Sequence, residues 1–441
     1  MLLTIEKLIY GGDALARFPS GDPREGKAIF VPFALAGEQV GAAITQEKPG
    51  FARARVEAIV TPSPRRVQPQ CPYFTQCGGC HYQHADYNHQ LEIKREILRE
   101  NLRRIAKIEF QSEIEIHPSP PWNYRNRSRL QLRTQPEFAA GYFKMASHDL
   151  LPVEACPISS PLINRGIASL WELARKGLSY EGIREAEFFA NADDTRLRIE
   201  LFCDVAAHRK SIRAFAEEFC ASLPEISGIV AFRGPQPVSP EPWLIVGSPE
   251  LIYQTTHAAY RISPGGFFQT NRFLIDELIN IVVKSSSGGL ALDLYAGVGL
   301  FSTALAPHFR HIISVESSQT STADLAHNLP ANGKAVGAGV EQYLAGVERF
   351  SRTRTGETFP QLPGTPDLVV VDPPRAGLGD AVARNLAGLG ASRLVYVSCD
   401  PATLARDLKN LQAAGYRAEE VHLVDLFPQT FHLETVVHLV R

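Results

Sequence analysis

The sequence predicts an α/β protein whose C-terminal part is a Rossmann-like, doubly wound parallel sheet closed by an antiparallel last strand. Three observations carry that prediction. From about residue 265 onward, short apolar runs at 289–295, 312–316, 367–372 and 393–398 alternate with helical patterns. The first run leads into a glycine turn, Tyr295-Ala296-Gly297-Val298-Gly299, that opens a helix. The last two extended runs, 420–425 and 432–439, are six residues apart, too few for a parallel crossover.

Two further parts precede this one, in keeping with a length of 441 residues, which suits about three units. Residues 1–64 carry short extended runs at 2–8, 27–32, 39–44 and 51–60, with the turn Gly11-Gly12-Asp13 and the linker Thr61-Pro62-Ser63-Pro64. That spacing predicts a small barrel of the oligonucleotide-binding (OB) type. Residues 65–264 read as a central α+β unit with a metal cluster. It contains grouped cysteines, then a helix over 88–107 with Leu91, Ile97, Leu98, Leu102 and Ile105 at helical spacing. Strands follow at 128–133 and 197–202, with helices near 161–176 and 208–222. Residues 265–441 form the doubly wound unit.

Composition narrows the function classes. Hydrophobic residues at 44% and charged residues at 21% exclude a disordered chain. No run of ~18 apolar residues occurs, so neither a membrane span nor an association with membranes is expected. Seven cysteines, an odd number, argue against a disulfide framework and for a reducing, cytoplasmic setting. A net charge of −2 does not advertise a nucleic-acid binder. Locally, however, Arg125, Arg127, Arg129 and Arg133 stand without an intervening acid. The first three alternate along an expected strand beside Trp122 and Tyr124, a composition that suits phosphates and stacked bases. A solvated arginine face is the plainer reading.

The chemistry-bearing residues fall at the carboxyl ends of the expected strands. Glu316 follows Asp293 by 23 positions and ends the next strand, where a carboxylate can take both ribose hydroxyls of a nucleoside. Asp293 ends the first strand. A carboxylate there would repel a pyrophosphate and attract a cationic amino group, which favours S-adenosylmethionine over a nicotinamide dinucleotide. Asp372-Pro373-Pro374-Arg375 follows a third strand and Ser398-Cys399-Asp400-Pro401 a fourth. The first is similar to the Asp-Pro-Pro-aromatic motif of amino-group methyltransferases, with Arg375 in place of the aromatic. A lone cysteine is often only a small packed side chain. Beside a cofactor turn it can do more: a thiolate adding to carbon 6 of uracil makes carbon 5 nucleophilic. A base must then remove the hydrogen of carbon 5, and Glu434, inside an apolar run, fits that need.

At these residues the chain resembles the RNA 5-methyluridine (uracil-C5) methyltransferase family. The likeness rests on Ser398-Cys399-Asp400-Pro401-Ala402-Thr403-Leu404-Ala405-Arg406-Asp407, on Asp372-Pro373-Pro374-Arg375-Ala376-Gly377-Leu378, on Phe268-Gln269-Thr270-Asn271 and on His432-Leu433-Glu434-Thr435-Val436. The resemblance implies Cys399 as nucleophile and Glu434 as base, with Gln269, Tyr295, Glu316 and Asp372 around S-adenosylmethionine. It also implies that the N-terminal part is a TRAM domain, an RNA-binding barrel. Gly339 and Leu300 stand where many members carry polar residues.

Cys71, Cys77 and Cys80, in the spacing Cys-x5-Cys-Gly-Gly-Cys, form a metal-ligand pattern suited to zinc or an iron–sulfur cluster. Cys156, His81 and His84 are candidates for the fourth ligand. The resemblance selects a [4Fe–4S] cluster on Cys71, Cys77, Cys80 and Cys156, with zinc as runner-up. Cys203 and Cys220 read as core. The expected activity is uracil-C5 methylation of RNA, 23S ribosomal RNA ahead of transfer RNA, with no obligate protein partner. The substrate uridine must be unstacked, and Phe267 and Phe268 are candidate stacking partners. Amino-group methylation would leave Cys399 without a task. A non-catalytic RNA-binding maturation factor would need neither Cys399 nor Glu434.

Overall fold

A computed structural model describes the chain except residues 111, 135–136, 179–180, 235–240 and 353–361. Five strands, Leu2–Leu8, Asp13–Arg17, Ala28–Pro32, Gln39–Glu47 and Phe51–Thr61, close into a barrel. Leu3, Ile5 and Leu8 point inward, joined by the small residues Ala14, Ala16, Ala42, Ala52 and Ala54. Alanine is a weak strand signal, which is why the sequence reading lacks the Asp13–Arg17 strand.

The middle of the chain folds into a seven-stranded sheet. Its order is Leu244–Gly247, Ile226–Arg233, Leu197–Cys203, Ile183–Ala190, Arg127–Arg133, Ala139–Phe143 and Leu150–Pro152. Helices Pro161–Arg175 and Arg209–Ser222 bury Leu162, Ile163, Ile167, Ile212, Phe215 and Phe219 against it. At Gly166 a Cβ would stand 2.9 Å from Leu197, so glycine there permits the close packing of helix on sheet.

The C-terminal sheet has eight strands, in the order Gly333–Gly337, Phe309–Glu316, Gly288–Leu294, Leu368–Val371, Arg393–Ser398, Glu434–Val440, Arg417–Val424 and Glu115–His117. The first five are parallel. Glu434–Val440 is inserted antiparallel between Arg393–Ser398 and Arg417–Val424, as the short connection requires. The eighth strand comes from the middle of the chain and pairs parallel to Arg417–Val424. Three residues are too few to announce a strand in sequence.

The expected helix over 88–107 is Tyr87–Asn101, followed by one π-helical turn, Leu102–Ala106. That change of pitch turns Ile105 out to solvent rather than onto the buried stripe. The helix is pinned to the C-terminal layer from within: Lys94 Nζ, fully buried, donates to Asp425 Oδ1 at 2.6 Å and to the Phe427 carbonyl at 2.9 Å. Tyr87 Oη donates to the other Asp425 oxygen at 2.9 Å. We propose the three units given above, with residues 87–117 lent by the second to the third. No helix among the described residues is long and apolar enough to cross a membrane. All seven cysteines are free thiols.

Candidate active site

At the carboxyl edge of the parallel strands opens a cavity of about 870 Å³. Its wall contains all six residues expected around the reaction: Gln269, Tyr295, Glu316, Asp372, Cys399 and Glu434. Five of them arrive from five different strand ends, which is where open α/β sheets bind ligands, and Gln269 arrives from the segment between the strand Ala259–Ile262 and the helix Ile275–Val283.

Local chemistry explains each placement. Cys399 sits between the strand Arg393–Ser398 and the helix Pro401–Ala413. Asp400 caps that helix, accepting from the amides of Ala402 (3.0 Å) and Thr403 (2.9 Å), and Pro401 opens its first turn. Glu434 begins the inserted strand and is 4% exposed, so it lies in the cavity wall and not on a solvent-facing edge. Tyr295 holds φ +64°, a conformation few non-glycine residues adopt, at the head of the glycine turn. Glu316 accepts from the amides of Gly297 (2.9 Å) and Ser318 (2.7 Å), which joins it to that turn.

Asp293, expected to face the cofactor, lies instead beneath the cavity floor. It is fully buried, accepts from Ser302 Oγ, and its Oδ1 has no partner. Burial pushes its carboxyl up to about 7, and burial with the nearby Asp293 charge does the same to Asp372. Glu434 is likewise raised by burial and by Asp372, against the pull of Arg375. Burial, Glu434 and Asp372 push the Cys399 thiol up to about 12, again opposed by Arg375. A cavity in which the carboxyls of Asp372 and Glu434 resist ionisation favours a cationic occupant. The glycine turn is equally open: no atom lies within 4 Å of where a Cβ would sit on Gly297 or Gly339. These features fit S-adenosylmethionine, which carries an ammonium and a sulfonium.

Several residues of the site are not evident from sequence. Arg406 and Asp407, the tail of the Ser398–Asp407 motif, clamp the loop after Asp372. Asp407 is fully buried and accepts from the Leu378 amide (2.7 Å) and Tyr396 Oη (2.8 Å), and Arg406 donates to the Ala376 carbonyl (2.8 Å). Gly377, at φ +75°, leaves room for that carboxylate. Asn271 is a second clamp, donating to the Leu426 carbonyl (3.0 Å) and Ser119 Oγ (3.0 Å). Arg375 Nη2 lies 3.2 Å from His432 Nδ1. From the barrel, Tyr10 Oη donates to the Cys399 carbonyl at 3.2 Å, and its ring meets Phe431 edge-on. Only the folded chain brings residue 10 to residue 399.

Other expectations are corrected. Phe268 is 2% exposed and packs on Tyr253 and Tyr260, so it cannot stack on a base, whereas Phe267 is 63% exposed at the cavity rim. The arginine stripe is not a free phosphate-binding face. Arg127 is paired with Glu187, Arg129 with Glu185, and Tyr124 is fully buried. Trp122 packs with the cysteine cluster. The acids come from the neighbouring strand Ile183–Ala190, which a count along one segment does not see.

Cys71, Cys77, Cys80 and Cys156 line a second cavity, of about 550 Å³, with Arg125 and Tyr142. His81 and His84, the other candidates for a fourth ligand, are outside its wall. His81 packs on Phe431, and His84 stacks on Phe74. Cys203 is buried in the middle sheet's core and Cys220 packs against it.

Comparison with known proteins agrees with this geometry. Residues 248–441 match the tRNA (Uracil-5-)-methyltransferase family and residues 1–56 the TRAM domain. The chain is 32% identical to the 23S rRNA (uracil(1939)-C(5))-methyltransferase of Chromohalobacter salexigens, over 100% of its own length and 89% of that protein. It is 30% identical to an RNA methyltransferase of Halalkalibacterium halodurans, over 99% and 96% of the two chains. The chain belongs to the S-adenosylmethionine-dependent RNA uracil-5-methyltransferases. The fold of this uracil-5-methyltransferase is also that of the Pyrococcus abyssi tRNA (uracil-54, C5)-methyltransferase in complex with S-adenosyl-L-homocysteine. The two share 24% identity and a TM-score of 0.74 over 99% of each chain.

Proposed function

We propose that this methyltransferase acts on carbon 5 of a uridine in 23S ribosomal RNA, with Cys399 as nucleophile and Glu434 as base. The observation that supports this assignment is a single cavity lined by a thiol, a buried carboxyl and the cofactor-type residues Gln269, Tyr295, Glu316 and Asp372. Once its proton has left, the Cys399 sulfur adds to carbon 6 of the ring, and the electrons of the 5,6 double bond become those of an enolate. Bound S-adenosylmethionine supplies the methyl group to carbon 5. The Glu434 carboxylate then takes the hydrogen of carbon 5, and the returning electron pair expels the sulfur from carbon 6. Arg375 lowers the cost of both anions. Phe267 is placed to stack on the unstacked base.

The preference for ribosomal RNA rests on the 32% identical relative, which the chain matches from end to end. The name of the matching family favours transfer RNA as the second reading. Tritium release from RNA labelled at carbon 5 of uridine tests both. Release from 23S transcripts, dependent on S-adenosylmethionine and absent in Cys399→Ala, is the expected result. Release from transfer RNA alone would move the substrate to the second reading. Methyl incorporation without release would place the reaction on another atom.

Cys71, Cys77, Cys80 and Cys156 would hold a [4Fe–4S] cluster. All four line one cavity of about 550 Å³, and the choice of an iron–sulfur cluster over zinc rests on the family resemblance. Stoichiometric iron and acid-labile sulfide in anaerobically purified protein is the expected result; zinc without sulfide would favour the runner-up.

A further inference from the structure

On the face of the C-terminal sheet that packs against helix Ile275–Val283, the last three strands at one end of the sheet present imidazoles and carboxylates together. Side chains alternate along a strand, so Glu420 and His422 share a face, and the pairing of Glu420 with His438 and of His422 with Glu115 puts His438, Glu115 and His117 on it too. His422 and His438 are 2% and 7% exposed.

The hydrogen bonds of this cluster are one hydrogen short. His117 Nδ1 lies 2.7 Å from Glu277 Oε1, His117 Nε2 lies 3.1 Å from His422 Nδ1, and His422 Nε2 lies 3.1 Å from Glu420 Oε2. Three contacts run in series between two carboxylates, yet two neutral imidazoles carry only two N–H groups. A third carboxylate, Glu115 Oε2, lies 3.3 Å from His422 Nδ1, so one hydrogen given to Glu277 and the other kept on His422 Nδ1, between His117 and Glu115, leave His422 Nε2 facing Glu420, lone pair against lone pair. His438 adds a third acceptor at that end. Its Nε2 is buried without a partner, and a hydrogen bond to the Ile281 backbone occupies its other nitrogen. One added proton could mend only one of these contacts. One cation could take all three lone pairs, and a carboxylate oxygen of Glu420 and one ring nitrogen each of His422 and His438 lie within 4.8 Å of one another.

We propose that His422 Nε2, His438 Nε2 and the Glu420 carboxylate bind a divalent cation of the zinc class. Two imidazoles and one carboxylate are the donor set that borderline-soft ions take. The chain Glu277–His117–His422 is the outer shell that such a site needs. With His117 Nε2 and the Glu115 carboxylate both facing His422 Nδ1, the proton is favoured there and the lone pair at Nε2. Lys284 donates to Glu420 Oε2 at 2.8 Å, leaving the other carboxylate oxygen for the ion. His438 is four residues beyond Glu434, roughly 14 Å along the strand, so the ion does not reach the reacting atoms. It ties the inserted last strand to its neighbour and thereby steadies the strand that carries Glu434.

Cobalt(II) titration of the full-length, chelator-treated protein tests the site, because cobalt on nitrogen and oxygen lacks the thiolate charge-transfer bands it would show on the cysteines. Wild type should bind one equivalent without those bands, besides any cobalt that the cysteines take with them; Cys71→Ser should keep that equivalent, and His438→Gln and Glu420→Gln should bind it at least tenfold more weakly. Glu420 is partly exposed, so its variant folds even if the histidine variant does not. Zinc(II) should raise the unfolding midpoint of wild type and not of Glu420→Gln. Equal uptake by wild type and Glu420→Gln, uptake with thiolate bands only, or no uptake by wild type would overturn the proposal. The last result would mean that a proton alone completes the network.

Discussion

The Cys399 thiol, pushed up to about 12 by burial and then by Glu434 and Asp372, is almost wholly protonated in the free protein near neutral pH. The thiolate fraction should therefore rise about tenfold per pH unit up to the highest pH the fold tolerates. Alkylation of wild type minus that of Cys399→Ala should show this slope; a plateau below pH 9 would contradict it. Arg375 is the cation that pulls the thiol down, so Arg375→Ala should slow alkylation at pH 8 and Arg375→Lys should largely restore it. For Glu434→Gln, loss of a general base predicts a fall of roughly 10²- to 10⁴-fold in tritium release. The covalent RNA adduct, denied its exit, should accumulate and be visible as a band shift. Cys399 and Glu434 were legible in sequence because each lies in a local motif beside a strand end. Arg375 was visible as a departure from one motif and a member of another, without a role; its pairing with His432 needed the fold.

Among the elements, the helix Tyr87–Asn101 shows how a charged residue can act as a core residue. Lys94 and Asp425 are both fully buried, 331 positions apart, and their attraction offsets the desolvation that each suffers. Lys94→Met leaves Asp425 buried without a counter-ion and should cost about 3–5 kcal/mol in denaturant unfolding. Adding Asp425→Leu should recover most of that loss. If the double variant is no better than the single one, the pair is not what fastens the helix. The sequence gives the helix and most of its apolar stripe, Ile105 excepted, but nothing in it marks Lys94 as buried. Helical spacing says which residues share a face; it does not say what comes to cover that face. The eight-stranded sheet teaches the same lesson, since its edge strand Glu115–His117 owes its existence to the neighbour it pairs with.

Over the whole molecule, the barrel and the catalytic layer share one continuous apolar core, and Tyr10 reaches the Cys399 carbonyl. Tyr10→Phe should lower methyl transfer by a few-fold, the loss expected for one hydrogen bond of about 1 kcal/mol, with RNA affinity unchanged. A matching fall in RNA affinity would instead make Tyr10 a substrate contact. Global stability should also depend on acid. His84, 1% exposed between Phe33 and Phe74, is held by burial down to about 4, whereas the unfolded chain titrates near 6.5. Between those values the unfolded state binds the extra proton. Stability is therefore greatest above pH 6.5 and falls as the pH drops toward 4, by at most about 1.4 kcal/mol per unit from this residue. His84→Leu should flatten the slope in that window, as read by denaturant unfolding across pH.

By itself the sequence determined the alternation of strands and helices, the antiparallel last strand, the glycine turn, and Cys399 and Glu434 as two residues of one cavity. All of these depend on residues close together in the chain, through side-chain period, backbone freedom at glycine, and the length a connection must span. The tertiary structure decided what lies opposite. It buried Phe268 and Asp293, gave Arg127 and Arg129 their acids, and selected Cys156 over His81 and His84 for the cysteine cavity. It also gathered His422, His438 and Glu420 on one sheet face. The physical reason is that burial and electrostatic partnership are set by distances across the fold. Those distances follow from how whole elements pack, which no local stretch of the chain records.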